Sequence, residues 1–403
     1  MSTGTGGAST GADEAAAPEL RRGLAGVLAD TTAVSVIDEQ SGSLLYRGYP
    51  VPELAASRSF EEVAYLIWHG ELPNPSQLSA LVEAERARRD VPAGLARALA
   101  GLPPSCHPMD VLRTAVSWLG AQGPREEYGG ASAPSDDPER ARADMDSAID
   151  LWAKLPTIVA AEQRRRRGQG PIAPDPGLGF AENFFHMCSG SVPDEEVVAC
   201  FGTSLVLYAE HGFNASTFAA RVITSTGSDL HSAVTGAIGA LKGPLHGGAN
   251  EAVMGIFAEI TGPDQVDAWL AGALGAGRKV MGFGHRVYKH GDSRVPTMRA
   301  ALERLARRSE QGEQLLAVSD RLAQAMLEAK GLYPNLDYPS GPAFYLMGFD
   351  VPTFTPIFVM SRITGWTAHV MEQKAHNALI RPLSSYVGEA RRPLPASPPT
   401  SRP

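Results

Sequence analysis

Read for the spacing of its apolar residues, the chain repeats one pattern over most of its length. Apolar positions recur at i, i+3 and i+4 through 59–68, 75–89, 144–166, 194–210, 229–241, 249–260, 296–308 and 313–329. That spacing predicts helices with one buried face, and 110–121 reads as another. Strict alternation stands out once, in 32–38 and 44–49 around Gln40-Ser41-Gly42, which predicts a short hairpin. The fold class is therefore mainly α with a short N-terminal β-hairpin. No internal repeat is visible. Residues 1–18 (Gly, Ser, Thr, Ala) and 391–403 (Pro, Ser) are low in complexity and expected to be disordered tails. The acidic Gly/Ser/Pro-rich stretch 122–139 reads as an exposed loop.

Composition narrows the class. The 403 residues are 43% hydrophobic, enough to bury a large core in two or three domains. A formal net charge of -8 argues against a general nucleic-acid or membrane-surface binder. No apolar run reaches bilayer length, and the first residues lack the apolar stretch of a secretory signal. Three cysteines (Cys106, Cys188, Cys200) without a C-x-x-C pair indicate neither a disulfide framework nor a cysteine metal site. A cytoplasmic location is expected. The basic run 164–167 reads as the solvated last turn of a helix, where cations suit the dipole, against a nucleic-acid patch. Cys188, Cys200, Trp68 and Trp152 read as core, and His69, His107, His186, His231 and His376 as structural or surface.

The chemistry-bearing residues fall in interruptions of the helical pattern. His246 lies in Gly243-Pro-Leu-His-Gly-Gly-Ala-Asn-Glu, in a turn opening a helix whose positive end disfavours a protonated ring. A neutral imidazole there still donates a hydrogen bond to an oxygen gaining charge. A satisfied turn histidine is the plain alternative. Asp337 stands between prolines in Tyr333-Pro-Asn-Leu-Asp-Tyr-Pro, which are expected to hold it in a fixed loop. It is either a general base towards a C–H proton or a turn carboxylate capping backbone N–H groups. His285 begins a donor-rich run, Gly282-Phe-Gly-His-Arg-Val-Tyr-Lys-His-Gly-Asp-Ser-Arg294; its G-x-G alone is weak evidence for phosphate binding. His211, Arg294, Arg362 and Arg381 complete the set. Each arginine singly is as easily a surface charge, but several converging on one cleft suit a di- or tricarboxylate.

These segments, with Gly26-Val-Leu-Ala, Tyr46-Arg-Gly-Tyr, Gly70-Glu-Leu-Pro, Asn214-Ala-Ser-Thr-Phe and Phe358-Val-Met-Ser-Arg-Ile-Thr-Gly-Trp-Thr-Ala-His, resemble the citrate synthase family in order over 22–388. Asn335-Leu-Asp-Tyr-Pro-Ser-Gly-Pro, His107-Pro-Met-Asp and Ile380-Arg-Pro-Leu-Ser most resemble the branch that makes 2-methylcitrate, some members of which also make citrate. The resemblance implies a two-domain helical homodimer, with a large domain of 19–247 and 349–390 and a small domain of 248–348. Gly-rich segments at 243–248 and 341–348 are the expected hinge neighbourhoods. It implies that Asp337 and His246 form the enol of an acyl-CoA, propionyl-CoA and also acetyl-CoA. His285 would polarise the ketone of oxaloacetate, whose carboxylates and carbonyl His211, Arg294, Arg362 and Arg381 would hold. Val280, Met281, Gly282, Phe283, Gly284 and Lys289 would line the CoA site, Arg22 would reach CoA from a neighbouring subunit, and Arg381 would cross the dimer interface. No metal and no tightly bound cofactor are implied. The family's Asp-Pro-Arg turn reads Asp292-Ser-Arg294 here, a second arginine after Arg-Pro is Leu383, and the aromatic run after the aspartate is Tyr338-Pro339. From their place after Asp337, Pro339, Pro342 and Tyr345 are candidates for the acyl pocket.

Overall fold

A computed structural model of the chain describes residues 20–38, 41–122, 137–288 and 291–394. The chain divides into two units, Thr32–Ile380 and a terminal unit of Met1–Thr31 with Arg381–Pro403. In the terminal unit every described residue is exposed, and Arg22–Leu24 makes a single 3-10 turn. The expected tail 1–18, most of the 122–139 loop and residues 395–403 lie outside the described residues.

The larger unit begins with a sheet. Strands β1 (Ser35–Ile37), β2 (Leu44–Tyr46) and β3 (Tyr49–Pro50) pair antiparallel in that order, with Val36 opposite Leu45 and Tyr46 opposite Tyr49. The expected hairpin thus gains a third strand. Its second turn consists of Arg47 (φ 48) and Gly48 (φ 90), the pair of positive dihedrals that joins strands in two residues. Arg47 adopts that disfavoured conformation while its guanidinium donates twice to the Ile67 carbonyl, at 3.1 and 2.8 Å.

Sixteen helices follow among the described residues. The first eight are α1 (Val51–Ser57), α2 (Phe60–His69), α3 (Pro75–Arg86), α4 (Ala93–Ala100), α5 (Pro108–Gly120), α6 (Pro138–Arg166), α7 (Phe180–Ser189) and α8 (Glu195–Tyr208). The rest are α9 (Ala215–Ser225), α10 (Leu230–Leu241), α11 (Ala249–Glu259), α12 (Val266–Gly275), α13 (Val295–Ala306), α14 (Glu310–Lys330), α15 (Asp337–Leu346) and α16 (Phe354–Ala375). Every periodic segment is helical, and side-chain caps set the ends. Ser59 with Glu62 and Asn74 with Gln77 form reciprocal capping boxes, and the Asp137 carboxylate caps α6 six residues ahead of its expected start at 144. The expected 75–89 helix stops at Arg86.

Helix α16 is the axis of this unit. It is buried continuously from Phe354 to Val370 and packs against α2, α6, α8, α9 and α10. A helix apolar around its whole circumference is a core helix. Trp68 and Trp152 lie in that core as expected, edge to face at 5.4 Å, and Cys188 and Cys200 are buried. Among the described residues, no helix is long and apolar enough to cross a membrane.

Candidate active site

The last turn of α8 delivers Tyr208, and the chain continues as Ala209-Glu210-His211-Gly212. The sheet clamps this stretch. Tyr46 Oη donates to the Glu210 carbonyl at 2.9 Å and accepts from the Glu210 N–H at 3.1 Å. Ser35 Oγ donates to Glu210 Oε1 at 3.0 Å and accepts from the Gly212 N–H at 2.9 Å. Behind it, Arg221 donates to His369 Nδ1 at 2.9 Å, so His369 carries its hydrogen on Nε2 and donates to Glu210 Oε1 at 2.9 Å. Close packing of α16 here needs Gly365, where a Cβ would stand 2.1 Å from Glu210 Oε2 and 2.7 Å from the Ala209 carbonyl. His211 itself is buried, with Nε2 3.1 Å from Tyr288 Oη. Burial first, and Arg294 second, hold its imidazole pKa well below the usual range.

His246 occupies the turn between α10 and α11, as the sequence implies. Its Nε2 accepts the Ser216 backbone N–H at 3.2 Å and touches Ser216 Oγ at 2.8 Å. The N-terminus of α9, which supplies this N–H, therefore faces the ring in addition to the turn that opens α11. Burial, reinforced by the charge of Arg362, pushes the imidazole pKa down to about 4. With Nε2 an acceptor, the hydrogen resides on Nδ1.

Asp337 and His285 are brought together by a backbone zipper. Gly284 N–H donates to the Tyr333 carbonyl at 2.8 Å, Asn335 N–H to the Gly282 carbonyl at 2.9 Å, and Asn335 Nδ2 to the Gly284 carbonyl at 3.0 Å. Gly282 has φ 88, and a Cβ there would fall 2.7 Å from Val253 and 2.9 Å from Tyr338, so only glycine fits. His285 Nδ1 accepts the Val287 and Tyr288 N–H groups at 3.1 and 3.3 Å. Its Nε2 therefore carries the hydrogen. Burial and Arg294 bring its pKa to about 4.

Asp337 opens helix α15 instead of sitting in a loop. Pro339 falls in the first turn, where backbone N–H groups have no partner within the helix anyway, and Pro342 is carried inside it. The Tyr208 hydroxyl donates to Asp337 Oδ1 at 2.7 Å, and Oδ2 accepts no hydrogen bond from the described residues. Burial lifts the carboxyl pKa to about 6, although the Tyr208 hydrogen bond and Arg294 pull the other way. Tyr345 is 40% exposed and its hydroxyl accepts from Gln311 Nε2 at 3.2 Å on α14.

The arginines divide by what already holds them. Arg362 is 1% exposed and donates from Nε to the Tyr208 carbonyl at 2.7 Å, while no carboxylate of the described residues pairs with it. Burial lowers its pKa to about 10. A buried, unpaired guanidinium is a receptor for an anion. Arg294 is instead gripped by Asp292, Nε to Oδ1 at 2.9 Å and Nη2 to Oδ2 at 2.7 Å. Burial would lower its pKa, but Asp292 outweighs that and raises it. Arg381 is exposed and belongs to the terminal unit, and Lys289 lies outside the described residues. Of the expected CoA-lining residues, Val280 and Phe283 are buried in the core, Gly282 is buried beside them, and Met281 and Gly284 are partly buried.

One ring gathers the rest. Phe358 lies 4.2 Å from the Tyr208 ring, 4.7 Å from the Arg362 guanidinium and 6.5 Å from the His246 imidazole. His211, His285 and Tyr288 form a second cluster, with ring centroids 4.6–5.5 Å apart. Asp292 links the clusters, accepting the Leu336 N–H at 3.3 Å while holding Arg294. Sequence reasoning missed Tyr208, Ser216, Tyr46 and Asp292 as parts of the site. Tyr208 looks like a core position of α8, yet a buried phenol must find a polar partner; that was the available signal.

A family model described as citrate synthase, C-terminal domain, matches residues 23–383. The 2-methylcitrate synthase of Mycobacterium tuberculosis is 57% identical over 94% of this chain and 93% of its own length. The citrate synthase of Mycolicibacterium smegmatis is 56% identical over 96% of this chain and 100% of its own. Among solved structures, the citrate synthase of Thermoplasma acidophilum, determined as a ternary complex with carboxymethyl coenzyme A and oxaloacetate, superposes with a TM-score of 0.86 at 32% identity, covering 93% of this chain and 98% of that one. With helices, site order and relatives in agreement along nearly the whole chain, this protein belongs to the citrate synthase family.

Proposed function

We propose that the protein condenses an acyl-CoA with oxaloacetate and water, releasing CoA, with propionyl-CoA giving 2-methylcitrate and acetyl-CoA giving citrate. The observation that carries this reading is the joint presence of one buried carboxylate, two imidazoles held neutral in defined tautomers, and an unpaired buried guanidinium. Asp337 takes a proton from the acyl α-carbon. His246 donates from Nδ1 to the thioester oxygen, on which negative charge develops. The resulting enol attacks the ketone carbon of oxaloacetate while His285 donates from Nε2 to the ketone oxygen. Imidazoles with pKa near 4 are neutral donors at pH 7, whereas a carboxyl with pKa near 6 is ionised and still basic. Arg362 receives a substrate carboxylate, and Arg294 offers only its Nη1 edge because Asp292 fills the other. Hydrolysis of the new thioester completes the reaction.

The relatives support both thioesters: one named 2-methylcitrate synthase and one named citrate synthase are nearly equally similar. A single methylene is worth about 1–3 kcal/mol in an apolar pocket, so dual use is physically reasonable. The second reading, a citrate synthase using mainly acetyl-CoA, rests on the same pair of relatives. We further propose a homodimer in which Arg381 crosses to the partner's site, Arg22 and Lys289 reach CoA, and residues 248–348 close as a small domain over the remainder. Closure would expel water and strengthen the hydrogen bonds to the enol. The test is thiol release with each thioester in the presence of oxaloacetate. A higher kcat/KM for propionyl-CoA supports the first reading, a large preference for acetyl-CoA the second, and no release with either refutes both.

A further inference from the structure

Tyr208 has a place that the mechanism above does not use. It is 2% exposed, at the end of α8, with its ring held between Phe344 (centroids 6.4 Å) and Phe358 (4.2 Å). Its carbonyl accepts from Arg362 Nε at 2.7 Å while its hydroxyl donates to Asp337 Oδ1 at 2.7 Å. One rigid residue thus spans the anion receptor and the carboxylate. Resting on the reading of Asp337 as the base, we infer that Tyr208 is a positioning residue: its hydroxyl holds Oδ1 and leaves Oδ2 as the oxygen that takes the substrate proton. As the Cα–H bond breaks, the proton passes to Oδ2 and the electron pair forms the enol double bond. The phenol keeps the carboxylate plane fixed through that transfer.

The hydroxyl also tunes the base, because a hydrogen bond to the charged form favours ionisation. The groups facing Asp337 are Tyr208 from α8, Asp292 and Arg294 ahead of α13, and Arg362 from α16. From the other packed helices, Glu251 of α11 is taken up by His107 and Thr355, and Asp320 of α14 by Arg299. Neither competes for the carboxylate.

The experiment is Tyr208→Phe in the full-length enzyme, which preserves the ring and removes the hydroxyl. Expected are a fall in kcat of about 10–100-fold and little change in KM for oxaloacetate. The acid limb of kcat/KM should move upward by about one pH unit, with a larger isotope effect on α-deuterated acyl-CoA. An unchanged acid limb and isotope effect would overturn the inference. Should Tyr208→Phe fail to fold, fluorotyrosine placed at 208 supplies a stronger donor and should move the limb downward; no movement also overturns it. Asp337→Asn is run alongside. If that variant keeps turnover, the base assignment itself has failed, a result distinct from an unresponsive Tyr208.

Discussion

At His246 the Ser216 N–H claims Nε2 at 3.2 Å, and at His285 two backbone N–H groups claim Nδ1. Each ring is therefore fixed as a donor through its other nitrogen before any substrate arrives. Asp337 is the complementary case, a carboxylate lifted to about 6 by burial. Its folded pKa lies above its unfolded value of 3.8, so the folded state binds the extra proton and burial of the ionised form destabilises above that window. Asp337→Asn should lower kcat by about a thousandfold or more. It should also raise stability on the order of 1–3 kcal/mol at pH 7 and hardly at all at pH 4. Urea midpoints at the two pH values check this; equal midpoint shifts at both would contradict it. His246, His285, Asp337, His211 and Arg362 were legible in the sequence because glycine turns and motif order mark them. Tyr208 and Ser216 were less so: their roles depend on partners 129 and 30 residues away, and local spacing carries no such information.

Among the elements, the small sheet and the 282–284/333–335 zipper do most to place the chemistry. Tyr46→Phe removes the hydroxyl that pairs both backbone groups of Glu210. It should destabilise by about 1–3 kcal/mol and raise KM for oxaloacetate more than for the thioester, since His211 is the next residue. Equal KM values for the variant and the parent would count against the clamp. Gly282→Ala places a Cβ at positive φ against Val253 and Tyr338, which should destabilise by about 1–3 kcal/mol and slow turnover by shifting His285 against Asp337. Thermal unfolding and kcat measured together check that pairing. Amphipathic helices were readable from their spacing. Helix α16 carries no such period because it is buried all round, and α15 was obscured by Pro339 and Pro342, which the first turn and the surrounding core accommodate.

At the scale of the whole molecule, three desolvated neutral histidines, one buried and two half-buried, contribute to the acid response. His211, His246 and His285 all have folded pKa values below the usual 6.5, so the unfolded chain takes up protons that the folded chain refuses. Stability should be fully present above about pH 6.5 and fall as the pH drops towards 4, by on the order of 1–3 kcal/mol for each of His246 and His285, with His211 adding in the same direction. Asp337 and Glu85, whose carboxyl pKa values burial raises, oppose this with the reverse sign. A net loss of stability on acidification, followed by urea unfolding between pH 7 and pH 4, is expected, and His285→Gln should flatten the slope.

The most direct test of the central claim, that Asp337 and His246 together turn the thioester into a carbon nucleophile, is turnover of His246→Ala, Asp337→Ala and the double variant. Each single variant should lose about 10²–10⁴-fold in kcat, and the double variant little more, since residues acting on one step are not additive. Single variants that turn over like the parent enzyme would contradict it.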